Sequence, residues 1–78
     1  MELRNLVTFI HVAELGSFSK TAEALGYSQS TISFQIKQLE EELGCLLFER
    51  INHTIKLTER GHQLISYAHQ IRTLTDEF

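Results

Sequence analysis

The sequence predicts a mainly α-helical fold: three helices and a two-stranded hairpin, followed by a long closing helix. Three patterns predict it. Apolar residues recur at helical spacing in three blocks between Leu3 and Leu43, divided at Gly16-Ser17 and Gly26-Tyr27-Ser28 by residues that end and cap helices. After Gly44 the period shortens. There Leu47, Phe48, Ile51, Ile55 and Leu57 interleave with Glu49, Arg50, Lys56 and Thr58 around a turn at Asn52-His53-Thr54. From Glu59 the helical period returns and runs to Phe78.

The first helix carries Leu3, Leu6, Val7, Ile10 and Ala13 on one stripe, and Phe9 and Val12 widen it, so it should touch more than one neighbour. Gly16 is placed to end it. Ser17 can cap the second helix, where Phe18, Ala22 and Leu25 face inward and Lys20 and Glu23 face water. Ala22 and Gly26 stand four apart, the small residue and the turn residue that a tight helix-turn-helix corner requires. Ser28 then caps the third helix. Its inner side is Ile32, Ile36, Leu39 and Leu43, and its outer side is Ser30, Ser33, Phe34 and Lys37. The hairpin reads as two short antiparallel strands, a wing. Thr58 is placed to cap the last helix, with Glu59 in its first turn. In that helix Leu64, Ile71 and Phe78 lie seven apart with Tyr67, Ala68 and Leu74 between them, an a/d seam of about two heptads that is too short to be secure as a coiled coil alone.

Bulk properties bound the function. A chain of 78 residues is one domain or a piece of one, and at that size about 60% of the unfolded surface can be buried. With 42% apolar and 22% charged residues the composition is globular rather than disordered. No apolar run approaches the roughly 18 residues of a membrane span. The N-terminal residues, interrupted by Glu2, Arg4 and Asn5, do not form a signal peptide. One cysteine forms no internal disulfide, which fits a reducing, cytoplasmic setting.

The net charge of −3 hides a segregation that matters more than the total. Lys20 and Lys37 against Glu23 leave the helix-turn-helix at +1. Glu40, Glu41, Glu42 and Glu49 make the next stretch −4, and Arg50, Lys56 and Arg60 against Glu59 return it to +2. The two basic segments are those that could meet phosphates. The acidic block reads as a solvated face, and it would repel phosphates from the end of the third helix.

The third helix suits a major groove. Gln29 and Gln35 can pair with adenine edges, and Ser30, Thr31 and Ser33 can bond bases or phosphates. Free amides at its N-terminus favour a phosphate. A solvated polar face explains the Ser and Gln residues equally well, and such corners also serve as plain scaffolding. Phe34 fits a solvated face badly: either a partner covers it, DNA or protein, or it packs sideways on the wing. Metal and catalytic chemistry find no support. His11, His53, His62 and His69 do not pair at the spacing of a helical zinc site, and Cys45 has no thiol partner and reads as a small buried residue. No nucleophile–base set or phosphate-cradling Gly loop occurs, so neither an enzyme nor a bound cofactor is expected.

The stretches GSFSKTAEALGYSQSTIS (Gly16 to Ser33), QIKQLEEELG (Gln35 to Gly44), LFER (Leu47 to Arg50) and KLTERG (Lys56 to Gly61) together resemble the N-terminal domain of LysR-type transcriptional regulators. The resemblance implies a winged helix-turn-helix over residues 1–58 and a linker helix over 59–78 that pairs two subunits. It implies that the domain reads double-stranded DNA at an interrupted palindrome as a homodimer, with tetramers in a longer protein. A small-molecule effector would act through a C-terminal domain beyond this stretch. Contacts with DNA would fall on Ser28, Gln29, Ser30, Thr31, Ser33, Phe34 and Lys37 of the third helix and on Arg50, His53 and Thr54 of the wing. The pattern departs from the family at Ser30, where Pro is common, at Phe34, where Arg or another polar residue is common, and at Asn52 and His53, which are commonly basic. A molybdate-type winged helix fits LFER and KLTERG less well. A winged helix that binds only protein, through Phe34 and the linker helix, is the alternative from another class.

Overall fold

A computed structural model describes residues 1–77. The order is α1 (Leu3–Leu15), α2 (Phe18–Leu25), α3 (Gln29–Leu43), β1 (Phe48–Ile51), β2 (Thr54–Leu57) and α4 (Glu59–Glu77). Each boundary has a local cause. The Ser17 hydroxyl accepts the Lys20 N–H at 3.1 Å, Ser28 accepts that of Thr31 at 3.2 Å, and Thr58 accepts that of Gly61 at 3.0 Å. At the corner between α2 and α3, Gly26 takes φ 74°, and Ala22 O accepts the N–H groups of both Gly26 and Tyr27. The four-residue spacing of Ala22 and Gly26 is thus the spacing of one C-terminal cap.

The core is Leu6, Phe9, Ile10 and Val12 of α1, Ala22 of α2, Ile32, Ile36 and Leu39 of α3, Leu47, and Ala68 of α4. The buried face of α1 therefore centres on Phe9 and Val12 and includes Asn5 and Thr8, while Leu3 is exposed and Val7 and Ala13 are half-buried. The buried face is rotated from the stripe that the spacing predicts, and α1 packs against α2, α3 and α4 together. Cys45, expected to be buried, is half-buried.

The hairpin pairs Phe48 with Leu57, Glu49 with Lys56, Arg50 with Ile55 and Ile51 with Thr54, so Thr54 begins a strand and the turn is Asn52-His53 alone. Both turn residues are left-handed, at φ 52° and 65°, as a two-residue turn that matches strand twist requires. Phe48 anchors the hairpin against Phe9 and Phe18, with ring centroids 5.4 and 6.1 Å apart. Glu40 has more to do than face solvent, because its carboxylate accepts the Leu47 N–H at 2.7 Å and ties the end of α3 to the hairpin entry. Thr58 closes the other end: its hydroxyl donates to Leu46 O at 2.6 Å, and its N–H donates to Leu47 O at 3.0 Å.

The start of α4 lies hard against this junction. Gly61 is buried, and a Cβ there would overlap the Leu47 carbonyl oxygen and stand 2.9 Å from Leu57 Cδ2. Farther along, Ala68 is buried and Leu64 packs on the core, so the seven-residue seam does not run on one exposed side. Ala68 was expected in a pairing surface. It is instead buried in the core of the single chain, on a helix that packs against α1. Tyr67, Ile71 and Leu74 remain exposed, while Phe78 falls outside the described residues. Arg72 of α4 and Glu14 of α1 form an ion pair at 3.0 Å across the same contact.

Candidate nucleic-acid interface

The outer side of α3 follows from its inner side. With Ile32, Ile36 and Leu39 locked in the core, Ser30, Ser33, Phe34 and Lys37 are left exposed, as the helical period requires. At the N-terminus Ser28, Ser30 and Thr31 gather their hydroxyls, with Ser28 Oγ 3.1 Å from Ser30 Oγ and 2.9 Å from Thr31 Oγ1. These hydroxyls satisfy one another and still retain acceptor capacity toward an outside group. Gln29 is exposed beside them.

The wing comes close to this end. Gln29 of α3, Arg50 and His53 of the wing, and Ser17 and Ser19 at the start of α2 line one hollow of about 190 Å³. Arg50 is held there by Phe18, its guanidinium carbon 5.6 Å from the ring centroid. A larger groove of about 680 Å³ separates α3 from the wing, with Ser33 and Lys37 on the α3 side and Phe48, Arg50 and Ile55 on the other. Lys20 is exposed in the first turn of α2. The register sets Lys56 apart. It and Thr54 alternate with Arg50's partner Ile55, so they lie on the opposite face of the hairpin from Arg50.

Two expectations for α3 change. Gln35, placed on the reading face by its chemistry, is only 6% exposed, and its side-chain oxygen accepts the Thr8 hydroxyl at 2.6 Å. Its position, one residue before Ile36, puts it on the flank of the buried stripe, where α1 offers a donor. It is therefore not available to a base edge. Phe34 is 64% exposed and does not pack on the wing. It stands on the α1 side of α3, beside Arg4, Thr31 and Gln38 around a hollow of about 310 Å³. Arg4 was not foreseen as part of this surface. It lies at the very start of α1, thirty residues before Phe34 in sequence, and no local pattern links the two.

A family model described as bacterial regulatory helix-turn-helix protein, lysR family, matches residues 3–62. The chain belongs to this family. It is 51% identical over 77 residues to the uncharacterised HTH-type transcriptional regulator YwqM of Bacillus subtilis (99% of this chain, 26% of that protein). It is 50% identical over 70 residues to the HTH-type transcriptional regulator IlvY of Escherichia coli (90% of this chain, 24% of that protein). The chain thus spans about a quarter of the length of the curated relatives it matches. Among solved structures, the crystal structure of a complex of BenM DBD with catB site 1 DNA superimposes with a TM-score of 0.94 at 43% identity. That match covers 99% of this chain and 86% of the other. The winged helix-turn-helix expected of the sequence is therefore the fold of this family member, with α2 and α3 as the helix pair and β1–β2 as the wing. Among the described residues, no helix is long and apolar enough to cross a membrane.

Proposed function

We propose that this chain is the sequence-specific DNA-reading domain of a bacterial LysR-type transcriptional regulator. One observation carries the reading: the exposed side of α3, from the Ser28 cap to Lys37, lies beside a cation of the wing, Arg50, that Phe18 of α2 holds in place. The likeness to a domain solved with DNA supports it. Residues 1–58 form the reader and 59–78 the linker helix. Ser30, Ser33 and Phe34 face base edges, Gln29 and the Ser28–Thr31 hydroxyl group meet the N-terminal edge of the site, and His53 and Thr54 at the hairpin tip reach the flanking groove. Lys20, Lys37 and Arg50 meet phosphates. Lys56, on the other face of the hairpin, adds long-range attraction rather than contact. The end of α3, with Glu41 and Glu42 exposed, stays outside the groove because carboxylates repel phosphates.

The domain acts as a homodimer on an interrupted palindrome, with Tyr67, Ile71 and Leu74 on the exposed side of α4 offered to the second copy. In a longer protein, tetramers and effector control belong to a further domain. The chain works in the cytoplasm and has no enzymatic role of its own. The test is a salt titration on a palindromic duplex selected from random DNA. Three cations from each of two subunits neutralise about six phosphates, so log K falls with log[salt] at a slope near −5. A slope near zero, or no retention on DNA, would overturn the proposal in favour of a protein-only interaction module.

A further inference from the structure

Two hydrogen bonds join α1 to α3 beneath the reading face. Asn5 Nδ2 donates to Gln38 Oε1 at 2.9 Å, and Thr8 Oγ1 donates to Gln35 Oε1 at 2.6 Å. One turn forward on α1 is one turn back on α3. The bonds are therefore successive rungs of a seam between helices running in opposite senses. Asn5, Thr8 and Gln35 are all buried, so both partners of the inner rung are shielded from water.

Stability alone does not ask for these rungs. A buried hydrogen-bonded pair gains little net over an apolar pair of the same shape, because both groups were already bonded to water in the unfolded chain. What the pair adds is direction. The other core contributions of these helices, Leu6, Phe9, Ile10 and Val12 on α1 and Ile32, Ile36 and Leu39 on α3, are apolar. Apolar contact is non-directional and holds the helices together without setting the rotation of α3 to a few degrees. A satisfied polar pair in a dry interface does set it, since any turn that breaks the bond leaves a buried group unpaired.

The leverage is large at the reading face. Phe34 and Lys37 immediately precede Gln35 and Gln38, about 100° around the helix. A helix with side chains has a radius of about 5–6 Å, so a 20° rotation carries an outer side chain through about 2 Å. Base-edge hydrogen bonds do not survive a displacement of that size. We propose that Asn5, Thr8, Gln35 and Gln38 are positioning residues for DNA reading, which fix the rotation of α3 so that Ser30, Ser33, Phe34 and Lys37 meet the groove in register. This rests on the DNA-reading proposal above. α1 is the natural frame for the task, since Glu14 also ties it to Arg72 of α4.

The test compares binding of the 78-residue chain to its selected duplex and to an unrelated duplex, for the parent and for Thr8→Val/Gln35→Leu. The double variant should keep its helicity, its affinity for unrelated DNA and its salt slope. Its preference for the selected site should fall about tenfold, the worth of one misaligned base contact. Thr8→Ser, which retains the hydroxyl, should keep the preference. Should the double variant fail to fold, Gln38→Met at the exposed end of the outer rung poses the same question. There the preference should fall about fivefold, the lower end of what one base contact is worth. An unchanged preference in whichever of the two variants is folded overturns the positioning role. A parent that shows no salt-dependent DNA binding overturns the DNA-reading proposal itself, and this inference with it.

Discussion

Arg50 lies over the Phe18 ring, 5.6 Å from its centroid, so the cation of the wing is oriented by the helix-turn-helix it flanks. An exposed contact of this kind is worth about 0.5–1 kcal/mol, enough to bias where a long side chain spends its time. Arg50→Ala should therefore remove one phosphate contact per subunit. In the salt titration the slope becomes shallower by about 2, since two phosphates are lost per dimer. Arg50→Lys keeps the slope but binds more weakly, because the ammonium lacks the planar face that stacks on Phe18. An unchanged slope for Arg50→Ala would place the guanidinium away from phosphate.

Gly61 makes a stability prediction free of any assumption about DNA. A methyl group there meets the Leu47 backbone oxygen and Leu57 Cδ2, and the backbone is the part that cannot swing away. Gly61→Ala should cost about 2–3 kcal/mol, within the range for overpacking a filled contact. In a domain of this size that lowers the melting temperature by more than about 8 °C. A thermal melt that superimposes on the parent's would mean that α4 slides off the hairpin junction without loss.

How far such features were legible in the sequence depends on how far apart their partners lie. The caps at Ser17, Ser28 and Thr58 and the corner at Ala22 and Gly26 involve partners three to five residues away. Local chemistry foretold them. The Ile32, Ile36 and Leu39 stripe followed from period alone. The inward turn of Gln35 is not legible locally, because the donor that draws it in, Thr8, lies 27 residues earlier on another helix. A Gln flanking an apolar stripe looks the same in sequence whether it meets water or a buried hydroxyl. Heptad-like spacing along α4 does not say which surface it serves, and in the folded chain Leu64 and Ala68 pack on the core of the single chain. The place of Arg4 is hidden in the sequence for the same reason: only folding brings it to Phe34.

The wing turn carries a conformational cost that one substitution should relieve. Asn52 tolerates a left-handed backbone well, but His53 at φ 65° does so at some expense. His53→Gly should stabilise the hairpin by about 0.5–1 kcal/mol, as Asn-Gly is the preferred pair for this turn. Slower hydrogen exchange at the Ile51 and Thr54 amides, the bonded pair that closes the turn, would register the gain. The same variant should bind the selected duplex more weakly, because it removes the side chain at the hairpin tip. Faster exchange would show that the imidazole supports the turn.

Phe34 separates recognition from folding most cleanly. At 64% exposure and outside the core, it has little packing to lose, so Phe34→Ala should change stability by less than about 0.5 kcal/mol. Where LysR-type domains commonly place Arg or another polar residue, this chain offers an apolar ring and keeps a cation nearby at Arg4. A ring in the groove gains from contact with a thymine methyl, which one base pair in one orientation presents. Phe34→Ala should accordingly lower affinity for the selected site about tenfold, the scale of one base contact, while affinity for unrelated DNA holds within about twofold. Phe34→Arg should restore affinity but shift the selected sequence toward guanine, because a guanidinium bonds the O6 and N7 of that base. Equal losses on both duplexes for Phe34→Ala would move the ring from a base to the sugar-phosphate backbone, and no loss on either, with no shift for Phe34→Arg, would assign it to a protein partner.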